Sequence, residues 1–416
     1  MTYFLAGAII FFESEVDLMI YPEYISAVLS VLRNAGYEAY IVGGSVRDSL
    51  LGLFPNDFDI TTSAPPEKTI ELFSDFKLVT TGLKHGTVTI ISDGHPVEVT
   101  TFRIDGDYKD SRHPSEVLFT DSIVADLSRR DFTVNAMAYD DKCGVIDPFE
   151  GQADLRSGLI RTVGDAERRF SEDALRIMRA FRFSAQLGFN IDDATIFAAK
   201  SMSSGLANVS RERIATEFLK LITSADPTYA LEKMKECEVF AYVLGEHVPG
   251  ESQIHALASA PKTERARLAI LLCSAPEEAR RDILARLKLS NKLTSNTLTI
   301  AKRLAEVPSV DETAARRFIG SCGELVEDTL GAALALGVLD TDFEALVRKN
   351  LAQKLCFSYK DLAISGKEIM ALGANGKEIG EVLDHLLEHL IKEPTDNERD
   401  VLTALAQKYL ENKRNA

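Results

Sequence analysis

The apolar positions of this chain change rhythm near residue 155. Before it they come in short β-branched and aromatic runs set between turn residues: "EAYIVGG" (38–44), "FDITT" (58–62), "GTVTIIS" (86–92) and "HPVEVTTFR" (95–103). Such runs predict strands, because these side chains suit a pleated, half-buried surface. "PPEKTIELFSDF" (65–76) predicts a helix entered through a proline, and "PEYISAVLSVLRNAG" (22–36) an amphipathic one. After residue 155 the apolar residues recur at three and four spacing, as in "EDALRIMRAFRFSAQ" (172–186) and "RERIATEFLKLI" (211–222). Helices of moderate length continue from there, broken at Pro227, Pro249, Pro261, Pro276, Pro308 and Pro394. The expected fold class is α+β: a mixed-sheet head followed by an all-helical remainder.

Composition narrows this picture. With 45% hydrophobic and 26% charged residues the chain reads as a soluble globular protein, and no apolar run reaches the length of a membrane span. "YFLAGAIIFF" near the start has no basic segment before it and acidic residues after it, so it reads as an extension rather than a signal. Five scattered cysteines without a C-x-x-C predict reduced, buried thiols and a cytoplasmic location. His385 and His389 are spaced to share a helix face, which reads as solvated before it reads as a metal site.

Charge changes the picture more. The net charge is −16, but residues 1–150 carry 11 basic against 24 acidic side chains, while residues 151–220 carry 11 against 9. Acidity therefore concentrates in the head, where a divalent cation and a polyphosphate would compensate it. The middle segment is locally cationic, and RNA would be met there through shape and a few phosphate contacts.

The densest chemistry lies in "YIVGGSVRDSLLGLFPNDFDITT" (40–62). Gly43 and Gly44 end a buried strand and permit a sharp turn and close approach of a ligand to the backbone. Ser45 is placed to cap a helix running from Val46 to Leu51, whose start suits a phosphate, and Arg47 adds a guanidinium. Asp57 and Asp59, separated by Phe58 on the next strand, should project to one face. Two carboxylates forced together favour a cation between them, and oxygen-only ligands suit Mg2+.

Three further stretches stand out. "RIDGDYKDSRHPSEVLF" (103–119) lacks apolar periodicity and reads as a long functional loop. "DLSRRDFTVNAMAYD" (126–140) sets Arg129 and Arg130 at an expected helix start, where they either clamp a triphosphate or pair with Asp126 and Asp131. In "SEDALRIMRAFRF" (171–183) Ser171 is the expected N-cap, and Asp173, Arg176, Arg179 and Arg182 follow at intervals of three along one face. One acid facing three arginines leaves an unneutralised positive stripe that suits an anionic ligand. "SRERIATEFLKLI" (210–222) reads as a capped amphipathic helix with Arg211, Arg213 and Glu217 on its polar side.

In this order the motifs "GGSVRD…NDFDITT", "RIDGDYKDSRHPSEVLF", "DLSRRDFTVNAMAYD", "DPFEGQADLRSGLIRTVGDAERRFSEDALRIMRAFRFSAQLGF" and "SRERIATEFLKLI" closely resemble the bacterial class II CCA-adding enzymes (tRNA nucleotidyltransferases) and their poly(A) polymerase relatives. The resemblance covers residues 22–225. It implies an extension (1–21), a catalytic head (22–155), a neck (156–225), a helical body (226–330) and a helical tail (331–416). Asp57 and Asp59 fall on the family's metal-binding carboxylates, while Gly44, Arg47 and Arg130 fall on its triphosphate contacts. Asp173 and Arg176 match the pair that reads CTP and ATP, with Arg179 and Arg182 completing the nucleotide site. Glu98, on a strand expected beside the aspartates, is a candidate third carboxylate. The implied partners are the tRNA 3′ end, CTP and ATP, with two Mg2+ ions, no membrane, and a homodimer through the tail left open.

Two alternatives remain at this level: an A-adding enzyme or poly(A) polymerase, and a catalytically silent RNA- or nucleotide-binding protein. The full-length "RIDGDYKDSRHP" loop argues against a CC-only enzyme, and its segment Asp105–Pro114 is expected to help switch the site from C to A. The absence of a basic C-terminal tail argues against a poly(A) polymerase, and the presence of both aspartates against a silent protein.

Overall fold

In the computed structural model, which describes residues 19–106, 117–353 and 355–414, the stretch after Pro22 forms α1 (Glu23–Asn34). It buries Ile25, Val28, Leu29 and Leu32, the spacing of one helix face. The chain then runs through β1 (Ala39–Val42), α2 (Gly44–Leu50), β2 (Asp59–Thr62) and α3 (Pro66–Leu72). β3 (Lys77–Val79), β4 (Thr87–Ser92) and β5 (His95–Thr101) follow. β6 (Arg103–Asp105) and β7 (Val117–Phe119) pair antiparallel, while residues 107–116, most of the expected switch segment, lie outside the described residues, as does the expected extension up to residue 18. α4 (Ile123–Ser128), β8 (Ala138–Asp140) and β9 (Gly144–Ile146) complete the sheet-bearing part.

The sheet order is β3-β4-β5-β2-β1-β8-β9. Its neighbours are antiparallel except β2 and β5, which run parallel with Asp59 opposite Glu98 and Ile60 opposite Val99. Ile60 and Val99 are buried, so the register that seats them in the core also puts Asp59, at the start of β2, beside Glu98 in the middle of β5. The four strands expected from the apolar runs are all present. β3, β8 and β9 have three residues each, too few to show a period.

Next come α5 (Gly151–Ser157), β10 (Leu159–Ile160), α6 (Ala166–Glu172) and α7 (Leu175–Leu187), then β11 (Asn190–Ile191), α8 (Asp193–Met202) and α9 (Arg211–Ile222). β10 and β11 pair in parallel and clasp the ends of the α6–α7 segment. The single helix expected from Ser171 is two helices. Ser171 lies inside α6, its hydroxyl bonded to the Arg168 carbonyl, and the backbone breaks at Asp173 into an extended conformation. Asp173 itself then caps α7, its Oδ1 accepting the Leu175 N–H at 3.0 Å. Ser210 precedes α9 as expected, but its hydroxyl makes no capping bond.

The chain divides after Glu246 into two compact units, and residues 22–155 and 156–225 both fall in the first. Helices build the second unit, where Val382, Leu386 and Leu390 pack with Leu402, Ala406 and Leu410 in the core of its last part. Pro227 and Pro276 each sit directly before a helix. His389 pairs with Asp396 and His385 stacks on Tyr409, so neither shares a ligand with the other. All five cysteines are free, and Cys143 is exposed, contrary to the expectation of uniformly buried thiols: it lies in the tight turn between β8 and β9. Among the described residues no helix is long and apolar enough to cross a membrane.

A backbone approach at α5 tests how tightly the head is closed. A Cβ on Gly151 would lie 2.4 Å from the Thr133 carbonyl oxygen and 3.0 Å from Met137 side-chain atoms. Gly151→Ala should therefore cost about 1–3 kcal/mol of stability, read as a lower urea midpoint with an unchanged slope.

Candidate active site

The glycine turn is dictated by geometry. Gly43 has φ +81°, and a Cβ there would sit 3.0 Å from Arg130 Nη1, so a side chain is excluded both by the backbone and by the arginine. Gly43, not Ser45, precedes α2, which starts at Gly44. Ser45 is buried and its hydroxyl donates back to the Val42 carbonyl at 3.2 Å. Arg47 is held in the turn by Asp48 (2.8 Å) and by the Asn135 side-chain oxygen (2.6 Å).

Arg129 and Arg130 lie at the end of α4, not at a helix start, because Ser122 caps that helix by accepting the Ala125 N–H. Both answer the fully buried Asp126, Arg129 at 2.8 Å and Arg130 at 3.5 Å. Asp126 also accepts the Arg103 N–H and the Thr61 hydroxyl, each at 3.3 Å. Burial pushes its carboxyl up, but Arg129 and then Arg130 outweigh that and hold it below the usual range. Arg130 Nε is buried without an acceptor among the described residues.

Asp59 is the first residue of β2, whereas Asp57 precedes the strand instead of lying on it. Phe58 between them is buried and both aspartates are exposed. Glu98, exposed on β5, stands opposite Asp59. Asp59 is open to solvent on one side, yet the protein packed around its carboxyl costs it hydration. That loss, then the charges of Glu98 and Asp57, pushes it up to about 6 against the opposing pull of Arg130. Among the described residues no three His, Cys, Asp or Glu side chains close into a finished metal cage. An open set of mutually repelling oxygen donors beside a phosphate-sized turn fits a hard divalent cation that keeps waters and takes phosphate ligands.

The neck residues come to this site already partnered. Asp173 pairs with Arg213 at 2.6 Å. Arg176 pairs with Glu172 at 2.6 Å and donates to the Arg129 carbonyl at 3.1 Å. Arg179 pairs with Asp131 at 2.6 Å, and Arg182 with Glu217 at 2.5 Å. The positive stripe expected from spacing is therefore neutralised, because acids on other elements reach each arginine. Glu217, placed on the polar side of α9 from the sequence, is buried for this reason. Phe183 collects three of the guanidiniums: Arg182, Arg179 and Arg47 lie 3.8, 5.2 and 5.3 Å from its ring centre.

The bonds from Arg176 to Arg129, from Arg179 to Asp131 and from Arg47 to Phe183 bring the sequence-predicted neck residues to the head. Sequence reading did not single out Asn135, Asp131, Phe183 or Arg213 as site residues. Their only signal was polar residues among buried apolar ones in "RRDFTVNAMA" and the charge run of "SRER". In the second unit, a groove of about 340 Å³ near Arg303, Arg317 and Phe318 is lined by one carboxylate, Glu306, and no glycine, so the chemistry above is not repeated there.

Two pH responses follow. Asp59's folded pKa of about 6 exceeds its unfolded value, so its ionisation opposes folding of the metal-free chain as pH rises through 6. Asp59→Asn should raise the melting temperature in chelator at pH 7.5, with the gain gone at pH 4, and added divalent cation should protect the wild type only. Asp131 is the opposite case: burial pushes it up, but Arg179 and Arg176 pull harder and leave it at about 2. Its contribution is complete above the unfolded value of about 3.9 and fades as pH falls toward 2. Asp131→Asn should cost about 2 kcal/mol at pH 7 and progressively less below pH 4, measured by denaturant melts.

Comparison with known proteins agrees with this geometry. The poly A polymerase head domain family matches residues 39–161, the probable RNA- and SrmB-binding site of polymerase A matches 188–249, and the putative tRNA nucleotidyltransferase domain 2 matches 259–406. The CCA-adding enzyme of Geobacillus kaustophilus is 37% identical over 91% of this chain and 94% of its own. That of Lactobacillus helveticus is 38% identical over 92% and 95%. The crystal structure of the Bacillus stearothermophilus CCA-adding enzyme in complex with CTP superposes with a TM-score of 0.79 at 32% identity, covering 95% of this chain and 99% of that one. With relatives 37% and 38% identical matched almost end to end, the chain belongs to the CCA-adding enzymes, a family of tRNA nucleotidyltransferases.

Proposed function

We propose that this protein adds or repairs the 3′-terminal CCA of tRNA, transferring nucleotides from CTP and ATP to the RNA 3′-hydroxyl with release of pyrophosphate. The observation that carries the reading is the β2–β5 register, which sets Asp59 against Glu98 beside the Gly43–Gly44 turn and its arginines. Asp57 and Asp59, with Glu98 as a third carboxylate, are the groups that would hold Mg2+. When bound, the metal favours the attacking alkoxide and neutralises the leaving pyrophosphate.

The chain's own residues do the rest. Gly44 lets the triphosphate approach the backbone, and Arg47 and Arg130 supply guanidiniums for it. At the start of α7, ionised Asp173 can only accept hydrogen bonds and Arg176 can only donate them. Cytosine and adenine each offer an amino donor beside a ring-nitrogen acceptor, so one acid–arginine pair serves both. Uracil and guanine reverse this pattern and set acceptor against acceptor. Arg213 and the Leu175 N–H hold the Asp173 carboxylate in a fixed orientation before any nucleotide arrives. Arg179 and Arg182 complete the base side of the site. In this reading the head (22–155) supplies the chemistry and the neck (156–225) the base reading and RNA contact, with the helical body (226–330) and tail (331–416) following.

The deciding experiment offers purified protein tRNAs lacking CCA, ending in CC, or complete, with CTP or ATP alone. Addition of C to the first and of A to the second supports the reading. A addition alone would replace it with an A-adding enzyme. Asp57→Ala and Asp59→Ala should each lower transfer by about 10³-fold or more while leaving the fold intact. Asp173→Ala should admit UTP and GTP and weaken CTP and ATP, an effect on the order of 10²-fold in discrimination, whereas Arg47→Ala should weaken all four alike. Incorporation of each nucleotide by each variant is the measurement.

A further inference from the structure

Arg47 on α2 and Arg179 on α7 are joined by an unbroken line of hydrogen bonds through two side chains that the proposed reaction does not use. Arg47 Nη1 donates to Asn135 Oδ1 at 2.6 Å. Asn135 Nδ2 donates to Asp131 Oδ1 at 3.2 Å, and Asp131 Oδ2 accepts both Nε and Nη2 of Arg179 at 2.6 Å. Asn135 and Asp131 are 7% and 8% exposed, so water competes little for these bonds. The carboxamide orientation follows from chemistry: a guanidinium only donates and a carboxylate only accepts, so the amide oxygen must face Arg47 and the nitrogen Asp131. Asn is thus the side chain of this length that satisfies a cation on one side and an anion on the other. The two terminal arginines also share the Phe183 ring at 5.3 and 5.2 Å, a second route by which displacement of one is felt by the other.

We infer that Asn135 is a positioning residue that couples the grip on the nucleotide triphosphate, at Arg47, to the base side of the site, at Arg179. This rests on the roles given above to those two arginines. When Arg47 turns to a phosphate, the acceptor load on the Asn135 oxygen changes, and with it the bond to Asp131 and the orientation of Arg179. A nucleotide seated correctly at both ends then satisfies the line as a unit, whereas one misplaced at its base leaves the triphosphate grip strained as well.

The test measures kcat and KM for ATP, CTP, UTP and GTP on tRNA ending before the position being filled, with the full-length chain. Asn135→Ala should raise KM for ATP and CTP about 10-fold with a smaller change in kcat, and relax base selectivity about 5-fold although Asn135 touches no base. In the wild-type background Arg47→Lys and Arg179→Lys should be non-additive by about 3-fold or more, and additive once Asn135 is Ala. Should Asn135→Ala fail to fold, the isosteric Asn135→Asp decides: it keeps the turn but sets a carboxylate against Asp131, so selectivity should fall likewise. Unchanged selectivity in the folded variant, or unchanged non-additivity without Asn135, would overturn the coupling and leave Asn135 a structural residue. Wild-type protein that transferred no nucleotide at all would instead overturn the functional reading, and this inference with it.

Discussion

The buried carboxylate of Asp131 is the point on which the site depends. It follows directly after Arg130, at the end of the α4 segment, and it takes two bonds from Arg179 on the neck helix. Removing a carboxylate from water is costly, and only the surrounding arginines and the Asn135 amide make the ionised form favourable here. The pairing therefore fixes more than two side chains. It sets where α7 lies against the head, and so where Asp173 and Arg176 stand relative to the glycine turn and the carboxylates of β2.

The same principle recurs around the site. Asp126 holds Arg129 and Arg130 together, Glu217 holds Arg182, and Glu172 holds Arg176. A chain of net charge −16 thus holds these cations in place by anchoring each on an internal acid, where the proposed reading has them face a nucleotide. Among the described residues, Asp57, Asp59 and Glu98 make no such ion pair. Lost hydration, and after it the charges of Glu98 and Asp57, push Asp59 up to about 6, a state that a divalent cation would relieve. Paired acids here place arginines, and in the proposed reading the unpaired acids hold the metal.

Much of this was legible in the sequence, and what was not has a common cause. The strand leading into Gly43 and those bearing Asp59 and Glu98 announced themselves by β-branched runs, and the glycines and aspartates by residue type. Local pattern carried that information. The break at Asp173 did not show, because the periodicity of α6 and α7 runs through it without a gap. Only the capping bond to Leu175 and the pair with Arg213, 40 residues away, reveal why the chain stops there. The apparent positive stripe was misread for the same reason: spacing along one helix says nothing about Asp131 or Glu217 arriving from other elements. The placement of Arg129 and Arg130 at the end of α4 depended on a cap at Ser122 that the charge pattern outweighed.

Prior pairing of Arg176, Arg179 and Arg182 bears on selectivity as well as on folding. A free guanidinium would have to be ordered by the nucleotide, at a cost in side-chain entropy of up to about 2 kcal/mol. A guanidinium already held by an acid is ordered beforehand, and a ligand need only add to or displace a contact of similar strength. Net binding energy from each such exchange is then small. Sensitivity is not, because a base that cannot reproduce the bond it disturbs leaves a charge unmatched in a site with little water. A nucleotide with the right edge is therefore accepted at modest affinity, and one with the wrong edge is penalised at each disturbed pair. This is what an enzyme needs if it must release its product after each addition and still distinguish among four nucleotides without a template.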